Sequence, residues 1–276
     1  AEKINEAEMV LVGIGEEFGE SMDKGKAIPQ LAECFQAIEK NERQSWMLPY
    51  LEKLQGDWLG TEKTAKAYET LEKLLDQKNY FIVSTRMDDY IYETKLKKEK
   101  IVTPCGGNRF LQCPDGCGKH LYQADRQLPG KIFEYLIGKG NGKSGEVPAV
   151  SDLKLAGEDE GRDQISCPTC PECGKYLVFN NRKAKQYVEE GYLEQWNKYM
   201  RWLQGTVNKR LCVLELGVGM QYPTVIRWPF ERVTFINEKS SMFRIHSKLY
   251  HLTEEIKDRG YKIQEKPIDF LINWFV

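Results

Sequence analysis

The sequence has no long apolar run, almost no net charge and few histidines. Its 276 residues are 41% hydrophobic and 29% charged, as in an ordinary globular protein, and no segment approaches the ~18 apolar residues that span a membrane. The N-terminal segment AEKINEAEMV is polar and acidic, which does not fit a signal peptide. A formal net charge of −1 argues against nucleic acid or an anionic membrane surface as the main partner. We therefore expect a cytoplasmic protein with no nucleic-acid or membrane partner.

Cysteine is the residue type that the chain arranges most distinctively. Cys113 and Cys117 lie in one short segment, and Cys167, Cys170 and Cys173 lie in a second. Zinc takes four thiolates in a tetrahedron, and two short segments can each supply a pair. We predict a structural zinc held by Cys113, Cys117, Cys170 and Cys173. Two alternatives stay open: Cys167 replaces one of these ligands, or the cysteines are free or disulfide-bonded.

Short apolar runs alternate with helical patterns along the rest of the chain. Apolar residues recur at three- and four-residue steps from Pro29 onward, and an aromatic stripe marks a helix over 192–203. Strands that alternate with helices predict an α/β fold, here a Rossmann-like parallel sheet with helices on both faces. The runs that fit buried strands are 9–12, 80–84, 211–216 and 233–236.

The cysteine segments interrupt this pattern and predict an inserted module. We expect 1–104 and 206–276 to form the Rossmann-like domain and 105–205 to form a small zinc-binding module. The module contains a glycine- and serine-rich stretch, so we predict a flexible loop at 138–165.

Paired glycines follow two of the predicted strands. Gly13 and Gly15 follow the first, and Gly217 and Gly219 follow the third. Ligands bind beyond the carboxyl ends of strands in open parallel sheets, and glycines there let the backbone approach a dinucleotide phosphate. A tight strand-to-helix turn without a ligand gives the same pattern. The two glutamates that follow Gly15 would also put negative charge where a pyrophosphate should lie.

Polar side chains at the ends of the second and fourth predicted strands extend this candidate cofactor site. Asp88 follows the second strand and is placed to contact a ribose or a carboxamide. Asn237 and Glu238 end the fourth, where a polar side chain could hold a ribose hydroxyl. The alternative for the first group is that Arg86, Asp88 and Asp89 form the solvated start of a helix.

Segments on both sides of the cysteine module resemble the sirtuin family. The likeness extends over roughly residues 6–275, and LELGVG with the Arg-x-Pro-Phe that follows looks most similar to the macrodomain-linked microbial sirtuins, whose family activity is ADP-ribosyl transfer. Residues 79–96 are similar to the strand and helix around the sirtuin Asn-x-Asp motif, and 105–113 to the catalytic turn with the first zinc ligand. Residues 170–175 are similar to the second zinc knuckle, and 214–231 with 235–238 to the second phosphate loop with the ribose strand.

The resemblance implies an NAD-dependent protein-modifying enzyme, either an ADP-ribosyltransferase or an atypical deacylase, with NAD or ADP-ribose and a protein substrate as its partners. The implied catalytic positions are Cys105, Asp88 and Arg86. Arg86 stands where sirtuins have the Asn of Asn-x-Asp, and Cys105 stands where deacylases have His and the macrodomain-linked group has Gln. The implied cofactor-binding residues are Gly13, Gly15, Gly217, Gly219, Asn237 and Glu238.

These departures argue against ordinary lysine deacylation, which needs a base. None of the three histidines is aligned with the base position. Transfer of ADP-ribose without an enzymatic base, or simple NAD cleavage, stays open. So do two other interpretations: a catalytically inactive sirtuin-fold protein that binds an NAD-derived ligand or a protein partner, and an unrelated zinc-ribbon protein with structural glycine turns.

Overall fold

The computed structural model describes residues 2–19, 28–59, 62–137 and 165–273. The chain divides into two units, one within Ala1–Ser21, Gly60–Gly107 and Val188–Val276 and the other within Met22–Leu59 and Asn108–Tyr187. The loop predicted at 138–165 lies outside the described residues except for its last position. The predicted domain boundaries at 105 and 205 stay a prediction, because packing units do not test which segments fold independently.

The described residues form eight α-helices and nine strands. The helices are α1 (Glu2–Glu6), α2 (Pro29–Glu39), α3 (Leu48–Leu59), α4 (Glu62–Leu75), α5 (Leu128–Ile137), α6 (Glu190–Gln204), α7 (Arg227–Ile236) and α8 (Pro267–Ile272). The strands are β1 (Met9–Ile14), β2 (Asn79–Ser84), β3 (Ile101–Val102), β4 (Gly106–Gln112), β5 (Leu121–Gln123), β6 (Val178–Asn181), β7 (Leu211–Leu216), β8 (Ser241–Ile245) and β9 (Gly260–Ile263). Within the described ranges, every helix is too short or too polar to cross a membrane.

The first unit is built on a six-stranded sheet in the order β3-β2-β1-β7-β8-β9, with all neighbouring strands parallel. This is the Rossmann-like sheet that the sequence predicts, and the strand order reverses between β1 and β7. Ile14 lies level with Ser84 on one side and with Leu216 on the other, and Leu216 lies level with Ile245. The carboxyl ends of the four central strands therefore form one edge.

Both faces of this sheet are buried, which explains why its strands read as unbroken apolar runs. Val10 and Val12 point into one core together with residues of α4 and α8. Leu11, between them, points into a second core on the opposite face, with residues of α6 and α7. The strands predicted at 9–12, 80–84 and 211–216 are confirmed, as are helices on both faces.

The strand predicted at 233–236 is wrong, because these residues form the last turn of α7. The run Val-Thr-Phe-Ile favours a strand by composition, but its burial follows a helical step instead. Phe230 and Thr234 face the core, and the Thr234 hydroxyl donates to the Phe230 carbonyl oxygen at 2.8 Å. Phe235 and Ile236 are 52% and 63% exposed. The sheet takes its next strand from Ser241–Ile245 instead.

The second unit contains α2, α3 and α5 and a three-stranded sheet in the order β5-β4-β6. Pro29 begins α2, where its missing N–H costs nothing. The core of this unit is apolar side chains of the three helices packed with Phe179 of β6. Cys113 and Cys170 are buried in that same core, so any metal site they form is part of the packing of this unit.

Candidate functional site

The backbone turns after β1, β7 and β8 are tied together at the carboxyl edge of the parallel sheet. The Gly15 N–H donates to the Leu216 carbonyl oxygen at 3.0 Å, and the Glu17 N–H donates to the Gly217 carbonyl oxygen at 3.0 Å. The Gly217 N–H donates to the Ile245 carbonyl oxygen at 2.9 Å. The structure therefore brings the predicted glycines together at the point where the strand order reverses, which is where open α/β sheets bind ligands.

Two of these glycines are required by the close approach of the turns. A Cβ at Gly15 would overlap the Cα of Val218 and the carbonyl oxygen of Gly217. Gly217 itself has φ +66°, a left-handed conformation that side chains disfavour, and a Cβ there would lie 2.8 Å from the Phe18 nitrogen. The interlocked turns leave no room for any other residue at either position.

Replacing Gly217 with alanine is expected to destabilise the protein by about 2 kcal/mol. The alanine would be held in a left-handed conformation, and its Cβ would overlap backbone atoms of Glu17 and Phe18. The measurement is the free energy of unfolding in urea. Gly130→Ala is the control, since a Cβ at Gly130 in α5 meets nothing within 4 Å. That control should gain about 0.5–1 kcal/mol from helix propensity. Equal stability of the Gly217 variant and the native chain would contradict the described turn.

Glu16 and Glu17 direct their carboxylates to hydrogen-bond donors at this edge. The Gly219 N–H donates to Glu16 Oε2 at 2.7 Å. The Ser247 N–H donates to Glu17 Oε2 at 2.8 Å, and the Ser247 hydroxyl donates to the other oxygen of the same carboxylate. The negative charge that the sequence places here is therefore hydrogen-bonded to the turns after β7 and β8.

His246 also belongs to this edge. Its Nδ1 lies 3.0 Å from Glu17 Oε2 and accepts hydrogen bonds from the Lys248 and Leu249 N–H groups at 3.1 and 3.2 Å. Burial lowers the pKa of His246, and the nearby Glu17 carboxylate opposes that shift. Sequence reasoning missed His246 and Ser247 because it placed the preceding strand at 233–236. A correct assignment of β8 would have put both residues at the carboxyl edge.

Arg86 and Asp88 lie together beyond β2, next to the first glycine turn. Arg86 donates to Asp88 through Nε, with an N···O distance of 2.6 Å, and again through Nη2. Asp88 also accepts from the Tyr90 N–H at 3.0 Å, and Arg86 Nη1 lies 3.5 Å from the carbonyl oxygen of Glu16. The two predicted residues therefore form a partly buried ion pair at the same edge as Gly15.

Cys105 lies beyond the carboxyl end of β3 in the turn that leads to β4. Its side chain is buried, and the next residue closes the turn with a hydrogen bond from the Gly106 N–H to the Thr103 carbonyl oxygen at 2.9 Å. The Asp89 carboxylate fills the space that a Cβ at Gly107 would need. Cys105 thus shares the carboxyl side of the sheet with Asp88.

Asn237 and Glu238 do not join the other predicted cofactor residues. The Asn237 side-chain amide donates to the carbonyl oxygens of Thr206 and Lys209, each at 3.0 Å. Both carbonyls precede β7, so Asn237 lies at the amino edge of the sheet, and Glu238 is exposed beside it. The prediction differs because it took 233–236 as a strand, which would put Asn237 and Glu238 at the carboxyl edge. Residues 233–236 instead end α7, which brings the chain back to the amino edge.

Beneath the second glycine turn lies a buried charge cluster that the sequence analysis did not identify. Arg244 of β8 donates to Glu215 Oε2 at 2.5 Å, to Glu215 Oε1 at 3.2 Å and to Glu231 Oε1 at 2.7 Å. Arg227 donates to the Val218 carbonyl oxygen at 2.8 Å. Burial raises the pKa of the Glu215 carboxyl, and Arg244 opposes that shift. Through the Arg227 hydrogen bond to Val218, the cluster contacts the turn that contains Gly217.

The second unit holds a compact group of four thiols. The Sγ atoms of Cys113, Cys117, Cys170 and Cys173 all lie within 4.8 Å of one another, and those of Cys113 and Cys173 are 3.6 Å apart. Four sulfurs about 2.3 Å from a zinc ion would be about 3.8 Å apart, so the group fits a structural zinc. Among the described residues Cys167 is outside this group, and its thiol donates to the Pro168 carbonyl oxygen at 3.6 Å.

The local backbone prepares these thiols for a metal. Gly174 has φ +71° and donates its N–H to the Cys170 carbonyl oxygen at 2.8 Å, which folds the chain back over the sulfurs. Burial opposes ionisation of the Cys113 thiol, but N–H groups of Cys117 and Asp115 outweigh it and lower the pKa of Cys113 to about 7. A thiolate is the form that binds zinc, so Cys113 is poised as a ligand.

Comparison with known proteins adds two relatives. No protein-family model matches the chain. It is 23% identical over 206 residues to a protein ADP-ribosyltransferase of Staphylococcus aureus, an alignment that covers 74% of this chain and 58% of that protein. It is 26% identical over 156 residues to a probable bifunctional ADP-ribose hydrolase/ADP-ribosyltransferase of Fusarium oxysporum f. sp. cubense, covering 55% and 23%. The chain thus matches less than two thirds of the length of either relative.

Comparison with solved structures identifies the fold. A structure described as the structural basis of sirtuin substrate affinity superposes with a TM-score of 0.54 over 99% of this chain and 96% of that one, at 11% sequence identity. An identity this low establishes the architecture alone. The chain therefore has the sirtuin fold, which confirms the resemblance drawn from the sequence segments.

Proposed function

We propose that this sirtuin-fold chain is an NAD-dependent protein ADP-ribosyltransferase that works in the cytoplasm on a protein substrate. The observation that carries the proposal is the meeting of two glycine turns at the strand-order reversal of a parallel sheet, the position at which open α/β sheets bind ligands. The names of the two relatives, both ADP-ribosyltransferases, support the choice of reaction.

In this proposal Gly13, Gly15, Gly217 and Gly219 line the phosphates of NAD. His246 and Ser247 replace Asn237 and Glu238 as the polar residues beside a ribose, since they directly follow β8 at its carboxyl end. The first two glycines lie at the end of β1 and the second two follow β7, and these strands are hydrogen-bonded neighbours. This adjacency supports a single cofactor site.

Bound NAD would supply an ADP-ribosyl group, whose bond to nicotinamide breaks as positive charge develops on the ribose carbon. The Arg86 guanidinium holds the Asp88 carboxylate in place, and Asp88 in turn accepts the Tyr90 N–H. With NAD bound, Asp88 would be the positioned carboxylate beside that ribose, and Cys105 would be the residue on the side of the reacting carbon. Transfer to a substrate that is already a nucleophile needs no base from the enzyme, unlike deacylation.

Zinc has a structural role in this proposal. Cys113, Cys117, Cys170 and Cys173 would hold it with four thiolates, which leaves no open position for a substrate or a water molecule. The metal therefore contributes folding energy to the second unit, and the chemistry stays with the first. A reducing cytosol would keep these thiols available as ligands.

Binding of ADP-ribose is expected to raise the midpoint of thermal unfolding. At a ligand concentration about 100 times Kd the stabilisation is about 2.7 kcal/mol, because the ligand binds only the folded chain. Adenosine, which lacks the diphosphate, is the matched control ligand and should give a smaller shift. No shift at millimolar ADP-ribose would contradict a nucleotide site at this edge.

A second candidate function is ligand binding without catalysis. The catalytic positions favour it, because Arg86 stands in place of the Asn, and Cys105 in place of the His or Gln, of the family that the chain resembles. Release of nicotinamide from NAD separates the two candidates. Stabilisation by ADP-ribose together with nicotinamide release and label transfer to protein supports the transferase. Stabilisation without nicotinamide release supports the binding protein.

A further inference from the structure

We propose that Glu16 and Glu17 stand in for the phosphate groups of the ligand and thereby limit its affinity. Their carboxylates occupy the donors that a diphosphate would use, and both must move before a dinucleotide can bind. The inference rests on the proposed function, since it concerns the same edge of the sheet. It adds that this chain weakens its own affinity for NAD through two internal anions.

Glu16 occupies the donor on the β7 side. Its Oε2 accepts the Gly219 N–H at 2.7 Å, and a Cβ at Gly219 would lie 2.9 Å from the same oxygen. A backbone N–H after a glycine turn is the type of group that binds a phosphate oxygen in parallel α/β sheets. One N–H forms one strong hydrogen bond, so the carboxylate and a phosphate compete for it.

Glu17 occupies the donors on the β8 side. One of its oxygens accepts the Ser247 N–H at 2.8 Å and lies 3.0 Å from His246 Nδ1, and the other accepts the Ser247 hydroxyl. A backbone N–H and a hydroxyl converging on one carboxylate form a small anion site. The chain fills that site with its own side chain, which is about a quarter exposed and so can leave toward solvent.

Charge strengthens the competition. Two carboxylates and a diphosphate would bring several negative charges to one partly buried edge, where they repel each other more than they would in water. Among the described residues nearby, Arg86 is paired with Asp88 and Arg244 with Glu215 and Glu231, while Arg227 donates to the backbone carbonyl oxygens of Val218 and Leu249. Removing the two carboxylates therefore both frees the donors and removes the repulsion.

The same contacts have a purely structural interpretation, in which the glutamates fasten the turns after β1, β7 and β8 to one another. The two interpretations predict opposite changes in ligand affinity. If the glutamates only fasten the turns, their removal loosens the edge and lowers the affinity for ADP-ribose. If they stand in for phosphate, their removal raises it.

The experiment is isothermal titration calorimetry of the full chain with ADP-ribose and with inorganic diphosphate. The double variant Glu16→Ala with Glu17→Ala is expected to bind ADP-ribose about tenfold more tightly or better than the native chain. Glu16→Gln with Glu17→Gln keeps the side-chain size and removes the charge, so its affinity should fall between the two. This second variant serves as the test if the alanine variant fails to fold by circular dichroism.

The matched control is Glu254→Ala with Glu255→Ala. These two glutamates are also adjacent in sequence, and replacing them removes the same two charges. Both are exposed. An equal gain in the control would overturn the inference, because general charge would then explain it. Unchanged or weaker binding in the Glu16–Glu17 variants, with measurable binding by the native chain, would also overturn it and leave the proposed function intact. Absence of ADP-ribose binding by every variant would overturn both.

Discussion

Cys170→Ser is expected to release zinc from the purified protein and to unfold the second unit. The substitution removes one of four thiolates, and the binding free energy of a structural zinc is folding free energy, about 10–16 kcal/mol in zinc-finger peptides. That free energy is of the same size as a typical domain stability of about 5–15 kcal/mol, so losing most of it unfolds the unit. Cys170 is also buried in the apolar core, so the substitution places a polar hydroxyl there. Elemental analysis and thermal unfolding with and without a chelator are the measurements.

Cys167→Ser is the matched control for this experiment. Cys167 lies three residues earlier and is also buried, but its thiol hydrogen-bonds to Pro168 and is outside the four-thiol group. We expect this variant to keep its zinc and most of its stability. Retention of zinc by Cys170→Ser, or its loss from Cys167→Ser, would show that the ligand assignment is wrong.

Arg244→Ala is expected to destabilise the first unit by about 3–5 kcal/mol at neutral pH. Glu215 is fully buried, and Arg244 supplies two hydrogen bonds to its carboxylate. Without that partner the carboxylate must stay charged in an apolar strand or bind a proton, and both carry a large free-energy cost. The free energy of unfolding in urea at about pH 7.5 measures the loss.

The loss should depend on pH in a defined direction. Burial already raises the pKa of Glu215 above its ordinary value of 4.5, and removing Arg244 takes away the group that opposes this shift. The folded variant then holds a proton that the unfolded chain has released, so stability falls as the pH rises above about 4.5. We expect the difference between Arg244→Ala and the native chain to be smaller at about pH 5 than at about pH 7.5. A difference that grows toward acid would contradict this account.

The control removes both charges together. Glu215→Leu combined with Arg244→Met replaces a buried ion pair with apolar side chains of similar size, which is often neutral or stabilising. Glu231, the other partner of Arg244, is partly exposed and can turn to water. The double variant should therefore be clearly more stable than Arg244→Ala. Equal destabilisation would mean that Arg244 acts through packing and not through its charge.

The cluster has a consequence for the proposed site. Glu215 precedes the Gly217 turn by two residues, and Arg227 holds the Val218 carbonyl oxygen of the same turn. The turn that would contact the cofactor phosphates thus rests on a network of buried charges. Such networks, once fully hydrogen-bonded, hold one geometry at the expense of stability.

Local sequence patterns determined the three central strands β1, β2 and β7, the cysteine pairs and the glycine turns. Buried runs such as Leu211–Leu216 are apolar at every position because both faces of the sheet are covered, so short-range composition suffices to find them. The spacing of the cysteines likewise reflects a tetrahedral ligand set that two short turns can supply. Both signals depend on residues close in sequence.

The tertiary structure decided what lies at the edge of the sheet. Whether 233–236 becomes a helix or a strand depends on packing that local composition does not encode, and that choice determined the edge at which Asn237 lies. The fold of the turn that carries Cys170 and Cys173 decided that Cys167, among the five clustered cysteines, stays outside the thiol group. Glu17 meets Ser247 across 230 residues of chain, so only the folded sheet brings that carboxylate to its donors. Contacts between distant segments depend on the whole topology, and no local pattern records them.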